Sequence, residues 1–155
     1  ENGAVAIDIS DDALKVADYN KKYNNADYIK LIKSDMFSSS ECEQYKNEDN
    51  RFDVIVSNPP YIPTKDIDEL SEEVRLHDPV LALDGDTDGL KFYKAITKQS
   101  VNYLKENGYL CYEIGYNQAE DVRNIMEQCG YSGIKVIKDL AGLDRVVIGR
   151  LNNIN

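Results

Sequence analysis

The chain has 155 residues, 42% of them apolar, and 28 acidic against 18 basic side chains give it a formal charge of −10. That length and apolar content suit a single domain, 1–155, with a real core, while the acidic balance disfavours strong binding to a bare phosphate backbone. Cys42, Cys111 and Cys129 make an odd total without CxxC spacing, so neither a zinc site nor a disulfide framework is indicated and a cytoplasmic location is expected.

No apolar run approaches the roughly 20 residues needed to cross a bilayer, and the acidic start at Glu1 does not read as a signal peptide. The run Ala4-Val5-Ala6-Ile7-Asp8-Ile9 is too short for a helix and rich in β-branched residues, which predicts a buried strand. Ser10 is placed to cap the next helix, Asp11 and Asp12 suit the positive end of its dipole, and Ala13, Leu14, Val16 and Ala17 form its apolar face. Its end falls near Asn24. Residues 28–33 read as a second strand and 38–50 as a polar surface loop or short irregular helix. A third strand is expected over 52–57, then a proline-rich corner, a short exposed acidic helix over 66–74 and an ordered loop over 76–89. Phe92, Ile96, Val101 and Leu104 recur at helical spacing, predicting a helix over 88–106 stopped by Asn107-Gly108, with a strand over 109–114 behind it. Ala119, Val122, Ile125, Met126 and Cys129 trace an amphipathic helix closed by Gly130. Two further strands, 133–138 and 145–151, are joined by a six-residue connection containing Gly142.

Strands alternating with helices imply right-handed crossovers and a parallel sheet covered on both faces. The last two strands are joined too tightly for a crossover and should be antiparallel. The fold class is therefore α/β, mostly parallel with a C-terminal antiparallel pair. Ligands of such sheets bind beyond the carboxyl ends of strands, where Asp8, Asp35 and Asn58 fall.

The most informative stretch is Asn58-Pro59-Pro60-Tyr61, directly behind the apolar run 52–57. An amide or exocyclic base nitrogen is a poor nucleophile, because its lone pair is delocalised, and it needs acceptors for its hydrogens. The Asn58 side-chain oxygen can take one, and a main-chain carbonyl of the Pro59-Pro60 unit the other. The prolines fix φ and donate no N–H, so the corner is rigid before substrate arrives. Tyr61 offers a ring face for a flat group and is expected to keep its hydroxyl free. Taken alone, a proline pair that ends a strand is ordinary. Asp8 is placed to take both hydroxyls of a nucleotide ribose, or merely to begin the turn before the helix. Asp35 can accept from an adenine amino group while Met36 and Phe37 pack its rings, although Ser-Asp is also common turn chemistry. No metal site is indicated: His77 is the only histidine, and the acidic cluster at 66–73 lacks the glycine and spacing of a calcium loop.

Asp8 after its strand, Ser34-Asp35-Met36-Phe37, Val56-Ser57-Asn58-Pro59-Pro60-Tyr61-Ile62, Glu73-Val74-Arg75 with Asp78-Pro79 and Ala82-Leu83, Asp88-Gly89-Leu90, Glu113-Ile114-Gly115 with Gln118, and Asp144-Arg145-Val146-Val147 with Gly149-Arg150 follow one family's order. The combination resembles the catalytic domain of HemK/PrmC-type protein-glutamine methyltransferases, which modify the glutamine of the Gly-Gly-Gln motif in peptide chain release factors. The resemblance implies a Rossmann-like, seven-stranded S-adenosylmethionine-dependent methyltransferase fold. It puts Asp8 on the ribose, Asp35 and Met36 around the adenine, and Asn58 also near the sulfonium methyl. Asn58, Pro59, Pro60 and Tyr61 would grip the glutamine amide, with Asn58, Pro59 and Tyr61 as the catalytic residues. Glu113 and Arg145 match motif positions and are assigned to structural pairing.

Against that family pattern, the Gly-rich turn for the methionine half of the cofactor, the first strand of the fold and an N-terminal helical domain have no counterpart in the sequence. The absent strand belongs between the strand ending at Asp8 and the one ending at Asn58. The chain is thus expected to be a partial catalytic domain, weak or inactive alone, whose unpaired strand edges favour self-association. Two other readings stay open: a DNA or RNA adenine amino-methyltransferase, for which the chain lacks a basic surface, and a non-catalytic protein-binding remnant.

Overall fold

The first apolar run forms strand β1 (Ala4–Asp8), and the Ser10 hydroxyl then accepts the Ala13 amide to cap helix α1 (Asp11–Tyr23). Strand β2 (Ile29–Lys33) returns parallel to β1, setting Asp8 opposite Lys33. The computed structural model, which describes residues 3–152, divides into two compact units, and these elements belong to the first, Glu1–Asn50. Its small core holds Ala26, Ile32 and Cys42, and its chain ends in 3-10 turns at Ser40–Lys46 and Glu48–Asn50. The burial expected of β1 and of Val16 is not observed. Residues of β1 alternate between half-buried and exposed, Val16 is 59% exposed and α1 buries no residue completely. Among the described residues β1 pairs only with β2, and one strand pair against one helix has few atoms with which to exclude water.

The second unit, Arg51–Asn155, starts with β3 (Phe52–Ser57), at the bounds read from sequence. Three helices follow, α2 (Glu72–His77), α3 (Val80–Leu83) and α4 (Lys91–Ser100), and then β4 (Leu104–Glu113), which lies parallel to β3. Helix α5 (Ala119–Gln128) leads to β5 (Tyr131–Lys138) and β6 (Asp144–Leu151). The sheet order is β3-β4-β6-β5, with β6 antiparallel to both neighbours, as the short connection requires. Helices α4 and α5 cover one face, where Tyr93, Leu110, Tyr112, Val122, Met126 and Val147 are fully buried. Tyr93 and Tyr112 meet edge to face at 5.1 Å between ring centroids.

Coverage of both faces is not what this unit shows. Val54, Val56 and Tyr109, on the face away from α4 and α5, are 49%, 75% and 45% exposed beside a shallow hollow of about 550 Å³. Among the described residues β3 pairs only with β4 and β1 only with β2, so each is an edge strand of its own sheet.

Three local expectations need correction. The helix predicted over 88–106 is only Lys91–Ser100, because Asp88 accepts the Leu90 amide ahead of it and Leu104, fully buried, pairs with Phe52 as a strand residue. Asn107-Gly108 does not stop a helix; Asn107 has φ +64° and the pair lies in a bulge between the Phe52–Leu104 and Val54–Tyr109 partners. The acidic stretch is a 3-10 turn, Thr64–Glu69, and a separate α2, split at the extended backbone of Leu70 and Ser71, and the following loop contains α3.

Candidate active site

The Asn58-Pro59-Pro60-Tyr61 corner leaves the carboxyl end of β3 with Pro59 buried, Pro60 and Tyr61 half-buried and Asn58 exposed. The Asn58 carboxamide has no hydrogen-bond partner among the described residues, so both of its polar atoms are open to a ligand. Behind the corner the chain is tied down. The Ile62 amide donates to Leu83 O at 3.0 Å, and the Gly85 amide donates to Ile62 O at 2.8 Å.

The loop from Gly85 to Gly89 lies flat on the corner's backbone. A Cβ on Gly85 would stand 2.9 Å from the Tyr61 main chain, and one on Gly89, whose φ is +71°, would strike the Tyr61 carbonyl oxygen. Both positions therefore need glycine. The Gln118 side chain, at the start of α5, donates from Nε2 to Tyr61 O at 2.9 Å.

The Tyr61 hydroxyl, expected to be free, is turned toward Glu113, 3.5 Å from its Oε1. Burial above all, and then the Glu113 charge, push the phenol above its ordinary value, so it stays protonated. The half-buried Tyr61 thus has its hydroxyl engaged inward rather than free. Arg145 donates to Asp139 Oδ2 from Nε at 3.2 Å and Nη2 at 3.1 Å, and to Ile114 O at 3.2 Å, which is the structural pairing expected of it.

In the first unit, parallel pairing of β1 and β2 brings the turns carrying Asp8 and Asp35 together, with the Ser34 amide donating to Asp8 O at 3.0 Å. Both carboxylates are exposed. Asp8 Oδ1 accepts the Ser10 amide at 2.8 Å, so the turn-forming role is real and occupies one oxygen, leaving the other open. Met36 follows in the left-handed region at φ +50°. Each of these two neighbouring strand ends thus carries an exposed carboxylate oxygen that could accept a hydrogen bond from a ligand hydroxyl or amino group. Asp8, Asp35 and Met36 thus share one end of the first unit's sheet, and Asn58, Pro59, Pro60 and Tyr61 occupy the end of β3 in the second.

Sequence reasoning gave Gln118, Gly85 and Gly89 no role. Gly89 and Gln118 did stand among the motif positions of the family resemblance, and the residues themselves offered an amide at the N-cap of α5, three positions after Gly115, and two glycines flanking an Asp-rich turn.

Parallel strands with helical crossovers, an antiparallel C-terminal pair and polar residues at the strand ends define an α/β protein with the fold of S-adenosylmethionine-dependent methyltransferases. A methyltransferase from Pyrococcus furiosus superposes with a TM-score of 0.68 at 18% identity, over 97% of this chain and 64% of its own. The model of the Eco57I restriction-modification methylase family matches residues 4–125, and the chain belongs to that family. It is 40% identical to the release factor glutamine methyltransferase of Fusobacterium nucleatum, over 96% of this chain and 40% of that protein. With the release factor glutamine methyltransferase of Clostridium acetobutylicum it shares 40% identity over 91% of this chain and 48% of the relative. The chain spans less than half the length of these curated relatives. Among the described residues no helix is long and apolar enough to cross a membrane.

Proposed function

We propose that the polypeptide carrying this sequence transfers a methyl group from S-adenosylmethionine to the side-chain amide nitrogen of the glutamine in the Gly-Gly-Gln motif of peptide chain release factors. The observation that carries this reading is the 58–61 corner: an exposed, unpartnered carboxamide on a backbone braced by two prolines, two glycines and Gln118. Acceptors at Asn58 Oδ1 and at the Pro59 carbonyl would orient the substrate nitrogen and favour the charge that develops on it. Tyr61 supplies a ring face for the flat amide. S-adenosylmethionine, when bound, provides an electrophilic methyl on a sulfur that keeps the bonding pair as the methyl departs. The proton shed by the substrate nitrogen leaves to solvent at the exposed Asn58. Asp8 is read as the ribose ligand, and Asp35 with Met36 as the adenine side.

The two units are read as parts of one catalytic domain, since the family match runs across both. The family's description as a restriction-modification methylase favours a second reading, methylation of a nucleic acid, and the exocyclic amino group of adenine is a group that the same corner would hold. A formal charge of −10 and the 40% identity to release factor enzymes weigh toward the protein substrate, without direct nucleic-acid binding and in the cytoplasm. The open face at Val54, Val56 and Tyr109 supports self-association, and a dimer mass by light scattering is the expected result.

The deciding experiment incubates the full-length polypeptide that carries this sequence, not the 155 residues alone, with a release factor and methyl-labelled S-adenosylmethionine and locates the label by peptide mass spectrometry. Label on the Gly-Gly-Gln glutamine supports the reading. Label on adenine of added DNA or RNA, or none on the release factor, overturns it.

A further inference from the structure

We propose that Gln118 is the positioning residue of the corner: its carboxamide clamps the main chain of Tyr61 to that of Gly89 and so holds the amide grip open and fixed. The proposal rests on the reading of the corner as the place where a substrate nitrogen is held. Gln118 is 6% exposed, and every polar position of its side chain is used. Nε2 donates to Tyr61 O at 2.9 Å and to Gly89 O at 3.4 Å, while Oε1 accepts the Gly115 amide at 3.0 Å and lies 3.4 Å from the Tyr93 hydroxyl, whose nearer acceptor is Glu113 O at 3.0 Å.

That set of partners admits only one orientation of the amide. Turned over, it would set oxygen against two carbonyl oxygens and NH2 against a main-chain N–H. A glutamate has the same shape but no hydrogens for the two carbonyls, and a leucine has the volume but takes this partner from the Gly115 amide and from both carbonyls. Neither substitutes for the clamp.

The clamp also joins segments far apart in the chain. Tyr61 follows β3, Gly89 precedes α4 and Gly115 follows β4; main-chain bonds between Ile62 and Leu83 and between Gly85 and Ile62 tie the first to the second, the Tyr61 hydroxyl faces Glu113 beside the third, and the Gln118 side chain touches all three. Because Gln118 occupies the Tyr61 carbonyl, that oxygen is engaged within the fold, and the exposed Asn58 carboxamide is the part of the corner that faces outward. A corner freed at Tyr61 would keep its residues and lose their aim, and a small misplacement of a holding group costs rate before it costs binding of a distant cofactor.

The test is amide hydrogen exchange on the chain, read by mass spectrometry for the parent, Gln118→Glu, Gln118→Leu and the exposed control Gln128→Leu. The expected result is exchange about tenfold faster in 58–64 and 85–89 for both Gln118 variants, with β4 and β6 changed less than about twofold and the control unchanged. Unchanged exchange at 58–64 and 85–89 overturns the proposal. So does a uniform increase over the whole second unit, including outright unfolding, which would make Gln118 an ordinary core residue. With methyl transfer as a second readout, Gln118→Glu is expected to lower kcat while KM for S-adenosylmethionine stays within about twofold; a rise in KM alone counts against a positioning role. The exchange readout needs no substrate, so it decides Gln118 even if the methyl acceptor is not a glutamine amide.

Discussion

The Tyr61 hydroxyl stands 3.5 Å from Glu113 Oε1 and so connects the corner after β3 to the end of β4, 52 residues further along the chain. At that length the contact is weak, and on the proposed reading the ring is the part of Tyr61 that a substrate meets. Tyr61→Phe is therefore expected to keep methyl transfer within about threefold of the parent, since a marginal hydrogen bond contributes under about 1 kcal/mol. Tyr61→Ala removes the platform and should cost on the order of 10- to 100-fold in kcat/KM. Equal losses in the two variants would show that the hydroxyl, not the ring, carries the role.

Asp8 keeps one carboxylate oxygen for the Ser10 amide and one for a ligand. Loss of a charge-assisted pair costs about 1.5–3 kcal/mol, so Asp8→Ala should weaken S-adenosylmethionine binding roughly 10- to 100-fold by calorimetry. Asp8→Asn, which still accepts the Ser10 amide, should preserve the helicity of α1 while weakening binding by a smaller factor. Unaltered affinity in Asp8→Ala would reduce Asp8 to a turn residue.

Gly89 and Gly130 both have positive φ, +71° and +89°, but only Gly89 lies against another segment. Alanine at Gly130 meets nothing within 4 Å, so its cost is the left-handed backbone alone, about 1 kcal/mol. Alanine at Gly89 adds a collision with the Tyr61 carbonyl and should cost about 1–3 kcal/mol more, read as a lower urea midpoint. Similar midpoints for the two variants would mean the loop gives way freely.

Burial pushes the phenols of Tyr93 and Tyr112 far above their ordinary value of 10, and that of Tyr131 to about 12. The folded state thus favours the protonated phenol, and a raised value contributes stability below pH 10 that is lost as pH climbs from the unfolded value through the folded one. The melting temperature of the second unit should be flat from roughly pH 7 to 9 and fall above about pH 10, with tyrosinate absorbance growing as the circular dichroism is lost. Ionisation of all 11 tyrosines in a protein with intact ellipticity would contradict this.

Much of the site was readable as sequence because its grammar is local. A β-branched run broken by Asn-Pro-Pro-Tyr specifies a strand and a rigid exit within ten residues, and β3 begins and ends where that pattern does. The same holds for α5, closed by Gly130 at φ +89°, and for the tightly joined β5 and β6, where connection length forces antiparallel pairing. Leu104 shows where such reading stops. It continues the helical spacing of Phe92 and Ile96, yet Phe52 claims it for the sheet, a choice made 52 residues away.

By itself, then, the order of residues determined the α/β class, the strand ends that carry Asp8, Asp35 and Asn58, and the proline-braced turn after β3, because backbone sterics and short-range periodicity act between neighbours. The tertiary structure alone decided that Gln118 reaches Tyr61, that Gly89 presses on its carbonyl, that the Tyr61 hydroxyl faces Glu113 and that one sheet face is open. Those relationships depend on where separate strands and helices come to rest against one another. A hydrogen bond of 2.9 Å between residues 57 positions apart leaves no periodic trace in the chain that makes it.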